Sequence, residues 1–348
     1  DLIGINRRFF ADHNWANKVR EGREEDIQPC THCGTCNSNY NKARYCRINA
    51  CFGTDKYDME PPAAKKKKVV VVGSGPSGMQ TARVAAARGH DVTLYESGGY
   101  LGGAVALASM VKGFEIEELP KFLKFFRTQV KKNGVKVKMR KLFDDAALAE
   151  EKPDVLVVAA GGVPTKPNVP GYELKNVVKT DELYGLLKFM IALVGPQMLR
   201  KLTRFWMPVG KKVVVVGGAI QGCQLTEFLT KRGRRVTIVE EGEELGQWLV
   251  PERKTRLFYW FDKKAIERLT GVKLLKFSKE GVTIETKDGK TRLLEANTIV
   301  PVLPFSPNKE LAERASGKVA EIYTIGDCDS PAVIPDATKA GWNLGNSL

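Results

Sequence analysis

The sequence predicts an α/β protein in which one strand–turn–helix–strand unit occurs twice. Two observations carry this. The heptapeptide KKVVVVG stands at residues 67–73 and again at residues 211–217. Each copy runs into a glycine-patterned turn, a helix-forming stretch and a second apolar strand closed by an acid. The first continues as SGPSGMQTARVAAARGHDVTLYE and the second as GAIQGCQLTEFLTKRGRRVTIVE.

Four consecutive valines read as a strand buried on both faces. After the first such run, Gly73, Gly75 and Gly78 fit G-x-G-x-x-G, with Pro76 and Ser77 opening a helix expected over residues 79–88. Each glycine has a physical task. Gly73 permits the tight turn, Gly75 lets a backbone approach a pyrophosphate, and Gly78 allows the helix to pack closely on the strand. The helix N-terminus offers unpaired N–H groups to phosphate. Glu96, at the end of the next strand, would accept hydrogen bonds from a ribose. In the second copy Gly217, Ala219 and Gly222 take the three places, Ile220 follows Ala219, and Glu240 is the strand-end acid. Glycine to acid is 23 positions in both copies, 73 to 96 and 217 to 240. The chain is therefore expected to hold two Rossmann-like dinucleotide-binding modules. Ala219 adds a methyl group where the backbone should meet a pyrophosphate. Glu240 and Glu241 favour NADH by repelling a 2′-phosphate, while Arg234 and Arg235 keep NADPH open.

Composition bounds the rest. A chain of 348 residues, 43% hydrophobic and 27% charged, is long enough for two or three globular domains. The longest apolar stretch falls short of the roughly 18–20 residues that span a bilayer, and no secretory leader pattern opens the sequence, so a cytoplasmic location is expected. The net charge of +15 is spread along the chain without a basic–aromatic recognition motif, so no nucleic-acid partner is expected.

Of seven cysteines, five fall between Cys30 and Cys51. Cys30, Cys33, Cys36 and Cys46 read C-x2-C-x2-C-x9-C. Thiolates this close can wrap a [4Fe–4S] cluster, with zinc as the rival and Cys51 as a competing fourth ligand. His32 reads as a solvent-facing or backbone-bonded residue rather than a ligand, Cys223 as packing within the second module, and Cys328 as a neighbour of the first module's ligand. No C-x2-C or C-x4-C pair accompanies either, so no redox disulfide is expected. Residues 182–210 and 248–269 are apolar, basic and aromatic. They read as helices that pack domains together or as a docking surface for a subunit, an acyl-CoA or a membrane surface.

Three further stretches resemble the two-dinucleotide-domain flavoproteins. IYTIGDCDS places Gly326 and Asp327 after a strand, with a helix expected from Pro335, and is similar to the second FAD motif. DVLVVAAGGVPTKPNVPG, with Ala160 and Gly161, resembles the crossing from FAD domain to NAD domain. YLGGAV, with Gly102 and Gly103, resembles the glycine pair near the flavin pyrophosphate. The resemblance implies FAD on the first module and NAD(P) on the second. The domains implied are a discontinuous FAD-binding domain over 64–175 and 295–348, with an NAD(P)-binding domain inserted over 176–294.

With a cysteine cluster in front, the whole resembles the C-terminal half of the iron–sulfur branch of the Old Yellow Enzyme family. That branch includes 2,4-dienoyl-CoA reductase, enoate reductases and trimethylamine dehydrogenase. Residues 1–25 are similar to the last strand and helix of its flavin-binding (β/α)₈ barrel. Arg7 stands where the family's arginine holds an FMN phosphate, Asn6 replaces a glycine and His13 a proline. Residues 26–63 form the expected [4Fe–4S] region, and CRINACFG resembles the stretch in which the family's fourth ligand precedes an asparagine by three residues, implying Cys46 rather than Cys51. The resemblance further implies an FMN barrel before residue 1, on the same polypeptide or a partner chain, and an oligomer. Electrons would pass from NADH to FAD, then [4Fe–4S], then FMN, to reduce an activated C=C bond of an enoyl- or dienoyl-CoA-like or enoate substrate. No catalytic residue for that last step is expected in this chain. An electron-transfer subunit, or an amine dehydrogenase like trimethylamine dehydrogenase, is the alternative.

Overall fold

The computed structural model describes residues 4–37, 45–54, 59–112 and 117–348. The chain divides into two compact units, 1–163 with 188–196 and 306–348, and 164–187 with 197–305.

The first unit is built on a five-stranded parallel sheet, Lys68–Val72, Asp91–Glu96, Lys136–Met139, Val155–Val158 and Glu321–Thr324. The first valine run lies at its centre, between Asp91–Glu96 and Val155–Val158, and the last strand in sequence forms one edge. A central strand is covered on both faces, which is why Val69, Val70 and Val71 are fully buried. The helix Pro76–Ala87 begins with proline at its first turn, where a missing N–H costs nothing. It therefore starts earlier than the expected residue 79. Its residues Ser77–Val84 are buried, against the C-terminal helix Ile334–Ser347 among others. Close approach there requires small residues, since a Cβ on Gly341 would lie 2.4 Å from the Ser77 carbonyl oxygen.

The second unit repeats the plan with four parallel strands in the spatial order Thr298–Pro301, Lys212–Val216, Arg235–Glu240, Glu267–Thr270. The helix Ile220–Thr230 follows its valine strand. An antiparallel meander, Lys273–Phe277, Gly281–Glu285 and Thr291–Glu295, contributes Phe277, Val282, Ile284 and Leu294 to the unit's core.

Two expectations need correction. The chain does not return to the first domain at residue 295. Thr298–Pro301 pairs with the second valine strand, Thr298 against Val213, so the return comes at residue 306. The barrel-end strand expected before Arg7 does not form over Gly4–Asn6, and residues 1–3 lie outside the described ones. A strand needs a neighbour to pair with. Residues 7–11 instead make a short helix, Arg7–Ala11. It is tied down by buried Asp12, which accepts from Lys18 Nζ at 2.7 Å and Gln28 N at 2.8 Å. The described residues of 26–63, the expected [4Fe–4S] region, belong to the first unit.

Candidate functional site

The C-terminal edge of the first sheet gathers the residues singled out in sequence. Gly73 follows the central strand with φ 106°, and a Cβ there would lie 2.2 Å from the Ala159 carbonyl oxygen. A Cβ on Gly78 would lie 2.0 Å from the Gly73 carbonyl oxygen. Both positions therefore exclude a side chain. Gly75, the helix N-cap in extended backbone, meets nothing within 4 Å. The space above it is open. Gly103 approaches this residue, its Cβ position 3.0 Å from Gly75 Cα, and Gly102 N donates to Ser74 Oγ at 3.2 Å. Gly326, with φ 66°, abuts Ser77, and Ile325 N bonds Val158 O at 3.0 Å. Ala160 and Gly161 follow the neighbouring strand, where the buried Cys328 thiol donates to Gly161 O at 3.3 Å. Burial pushes the Asp327 carboxyl above its ordinary range, and the backbone N–H of Ala332 opposes that.

The strand-end acid is held the same way in both units. Glu96 is buried, and its Oε2 accepts from Ser74 N at 3.2 Å and from the Ser74 hydroxyl, while Oε1 accepts from Gly98 N at 2.6 Å. Glu240 Oε2 accepts from Gly218 N at 2.5 Å and Oε1 from Gly242 N at 2.8 Å. Each carboxylate is thus fixed between the residue after the first glycine and the glycine two residues beyond itself. A carboxylate offers about four lone-pair sites, so acceptor capacity is left for ribose hydroxyls. The sequence reasoning missed Gly98 and Gly242. The repeated pattern Glu-x-Gly after each strand was the available signal.

The second edge matches the first in its outer glycines. A Cβ on Gly217 would meet Val302 O at 2.2 Å, and one on Gly222 would meet Gly217 O at 1.8 Å. Ala219 is the N-cap of the helix that Ile220 opens, and it is 8% exposed. Arg234 is turned to Val209 O and Arg232 O at 3.0 and 2.8 Å. Arg235 begins the strand that Glu240 ends, so neither arginine stands at the edge where Glu240 lies.

The four expected cluster ligands, Cys30, Cys33, Cys36 and Cys46, are free thiols near the first unit's surface, Cys33 buried and the others partly so. Among the described residues, no three His, Cys, Asp or Glu side chains converge on a point to hold a single ion. The thiols do feel one another. Burial and the neighbouring Cys33 and Cys30 raise the Cys36 thiol, and burial pushes Cys46 up to about 12. Cys33 moves the other way. Burial raises it, but the Arg47 charge and a 2.9 Å contact with Thr35 Oγ1 bring it below its ordinary value. Cys51 is 3% exposed and its N–H donates to Asn49 Oδ1 at 3.0 Å. His32 is half exposed, 3.2 Å from Glu118. Arg7 is exposed on the first turn of its short helix, and its charge reaches Cys36.

The donor chemistry fits an iron–sulfur group. Three thiols lie within seven residues, and beside them Arg47 is a buried guanidinium whose Nε has no acceptor among the described residues. The glycine edges fit dinucleotides, since the space over Gly75 is open and the acids are held in place. Of residues 182–210, those up to Leu202 lie in a long helix, Thr180–Leu202, broken at Gly195, where φ is 75°. Leu186, Phe189, Leu193 and Met198 are exposed along it, and Phe205 and Trp206 beyond it are 90% and 73% exposed. No described helix is long and apolar enough to cross a membrane.

Residues 67–341 match the family described as pyridine nucleotide-disulphide oxidoreductase. The chain is similar to an NADH oxidase of Thermoanaerobacter brockii, 30% identical over 99% of the chain and 51% of the relative. It is 28% identical to a cinnamate reductase of Clostridium sporogenes, over 100% of the chain and 50% of the relative. Among solved structures, a 2-naphthoyl-CoA reductase complex superposes with a TM-score of 0.86 at 31% identity, over 98% of this chain and 50% of that one. The histamine dehydrogenase of Rhizobium sp. 4-9, at 20% identity and TM-score 0.83, shares the fold over 100% of this chain and 55% of its own. The chain thus spans about half the length of the curated relatives it matches. It belongs to the pyridine nucleotide-disulphide oxidoreductase family and corresponds to the C-terminal half of the Old Yellow Enzyme-like iron–sulfur flavoproteins.

Proposed function

We propose that this chain is the electron-input half of an NADH-dependent iron–sulfur flavin oxidoreductase that reduces an activated C=C bond. In this reading the first module holds FAD, through Gly73, Gly75, Pro76, Ser77, Gly78, Glu96, Gly102, Gly103, Ala160, Gly161, Gly326 and Asp327. The second holds NADH, through Gly217, Ala219, Ile220, Gly222 and Glu240. Cys30, Cys33, Cys36 and Cys46 hold a [4Fe–4S] cluster, and Arg7 contributes to an FMN phosphate site of a barrel. When bound, these groups supply the hydride and single-electron chemistry that carries reducing equivalents from NADH through FAD and the cluster to FMN. The residues of this chain bind, orient and set the electrostatics. Helix N-termini at Gly75 and Ala219 present N–H groups to phosphate, and Glu96 and Glu240 orient ribose.

The observation that carries the reading is the repeated clamp on the strand-end acid, Ser74–Glu96–Gly98 in one unit and Gly218–Glu240–Gly242 in the other. Two independent sheet edges hold an acid in the same place for the same task. The names of relatives that reduce cinnamate and 2-naphthoyl-CoA support an activated alkene or aromatic thioester as substrate. An amine dehydrogenase reading has support in a relative named dimethylamine dehydrogenase, at 23% identity.

The test is the flavin content of the native protein. Equal FMN and FAD, with iron and sulfide near four each per chain as a [4Fe–4S] group requires, and NADH-driven reduction of a cinnamate or an enoyl thioester, is the expected result. FAD without FMN would make the chain an electron-transfer module for a separate acceptor. Oxidation of an amine with no alkene reduction would favour the amine dehydrogenase reading, and absence of flavin would overturn both.

A further inference from the structure

The cysteine loop is flanked by more buried positive charge than the described residues balance. Arg47 follows Cys46 directly and is 8% exposed. Its Nη1 pairs with Glu117, itself 4% exposed, and its Nε is a buried donor without an acceptor among the described residues. Its carbonyl accepts from Thr338 Oγ1 at 3.0 Å, which fixes this backbone to the C-terminal helix. Arg83, on the helix Pro76–Ala87, is 5% exposed and donates Nε to Gln80 Oε1 at 2.7 Å. Its guanidinium lies 5.8, 5.9 and 5.6 Å from the ring centroids of Phe125, Phe126 and Trp342, and no carboxylate pairs with it among the described residues. Of these two buried cations, Arg47 pairs with Glu117 and Arg83 pairs with no carboxylate among the described residues. Charge taken out of water is retained where a counter-charge answers it. Cys46, the residue before Arg47, is a group that can supply one.

A [4Fe–4S] cube held by four thiolates is a net anion, and it becomes more negative on reduction. A neighbouring cation stabilises the reduced form more than the oxidised one, and charge and hydrogen bonds at the sulfurs are what set such a potential. Arg47 is placed for this by covalent adjacency to Cys46, by its burial and by a buried Nε that has no acceptor among the described residues. We propose, resting on the reading of Cys30, Cys33, Cys36 and Cys46 as cluster ligands, that Arg47 raises the cluster's reduction potential and that its partner Glu117 limits the rise. Arg47 is a positioning residue for electron transfer. It sets the driving force between the flavin-side donor and the cluster without itself carrying an electron.

The experiment is an EPR-monitored potentiometric titration of the anaerobically purified native protein and of Arg47→Met, Arg47→Lys and Glu117→Gln. Arg47→Met should lower the equilibrium constant for cluster reduction about tenfold, 59 mV for a one-electron couple. Glu117→Gln should move it the opposite way, by a smaller factor. Arg47→Lys should stay within about threefold of the native value. The FAD potential should be the same in all four. A purely structural role for the pair would not give shifts of opposite sign. Shifts of the same sign, or none beyond about twofold, would overturn the inference while the ligand reading stands. Native protein without iron, sulfide or a reduced-cluster EPR signal would instead overturn the ligand reading, and the inference with it. Should Arg47→Met fail to take up iron, Glu117→Gln and Arg47→Lys still decide.

Discussion

Alanine at Gly78 and alanine at Gly75 should separate the two tasks of the first glycine loop, packing and ligand approach. At Gly78 the new methyl would lie 2.0 Å from Gly73 O, 3.1 Å from Gly73 C and 3.3 Å from Ala159 Cβ. Ordinary carbon contacts are roughly 3.5–4.0 Å, so the first turn of the helix must move by more than an ångström. The obstacle is the carbonyl of a tight turn and cannot rotate away as a side chain would. Overpacking of this kind costs roughly 1–3 kcal/mol, and alanine returns up to about 1 kcal/mol of helix propensity. Taking the upper end for a backbone clash gives a net loss of about 2 kcal/mol. That corresponds to a fall in Tm of roughly 4–8 °C at this size.

At Gly75 the backbone and its surroundings tolerate a methyl group. The residue has φ −66° and ψ 177°, which any amino acid adopts, and an added Cβ would meet nothing within 4 Å. Replacing a glycine N-cap by alanine costs under about 1 kcal/mol, so the FAD-free protein should melt within roughly 3 °C of the native one. FAD binding should nevertheless weaken at least about tenfold, the equivalent of about 1.4 kcal/mol, because the methyl occupies the approach to the loop. Melting curves of the deflavinated protein, together with flavin fluorescence titrations, read the two quantities separately. A Gly75→Ala protein that melts as low as Gly78→Ala, or that binds FAD as tightly as native, would refute the reasoning.

Three further predictions concern the cysteine loop, the second unit's acid and a buried carboxyl of the first unit. Cys46→Ser should lose most of the bound iron while Cys51→Ser keeps it, by colorimetric iron and sulfide analysis; the reverse would make Cys51 the fourth ligand. Glu240→Gln keeps a side-chain acceptor for Gly218 N but removes the charge, and should raise the NADPH-to-NADH ratio of kcat/KM at least about tenfold with a dye acceptor. An unchanged ratio would mean that Glu240 does not face the ribose. Burial raises the Glu151 carboxyl, but hydrogen bonds from Lys138, Lys68 and Tyr95 outweigh that and bring it to about 2. Its stabilisation is complete above the ordinary value of 4.5 and is lost as pH falls from there towards about 2. Glu151→Gln should therefore be less stable than native in urea melts at neutral pH, and the gap should close on acidification across that window.

Much of the fold was legible because its signals are local. A valine run, three glycines and an acid at fixed spacing need nothing from the rest of the chain to be recognised. What failed was non-local. The stretch Thr298–Pro301, TIVP, is an apolar strand that either sheet could accept, and nothing within it says that Thr298 aligns with Val213. The boundary drawn at 295 was therefore too early. Arg47, Glu117 and Arg83 escaped notice for a related reason, since a charged residue in a sequence reads as solvated until its surroundings are known. Arg47 and Glu117 are 70 positions apart, and only the folded chain brings them together in a buried pair. Gly98 and Gly242 carry a local signal too, a glycine two residues after each strand-end acid.

The two copies are most informative where they part. Both clamp their acid and both exclude side chains at the outer glycines. The first copy has in addition an open Gly75, the Gly102–Gly103 pair resting on Ser74 and Gly75, and Gly326–Asp327 arriving from the far end of the chain. The second has Ala219 in the middle position and its own Glu-x-Gly clamp. More converging segments mean more contacts to a ligand and slower release, and a methyl at the point of closest backbone approach means fewer. In the relay proposed above, that asymmetry would separate the two roles. The carrier that stays must be held from several segments, and the donor that arrives loaded and leaves spent must be let go. On this argument Ala219→Gly should tighten NADH binding several-fold and slow NAD+ release in stopped-flow displacement. If the substitution left both unchanged, the methyl at Ala219 would have no part in the difference between the two sites.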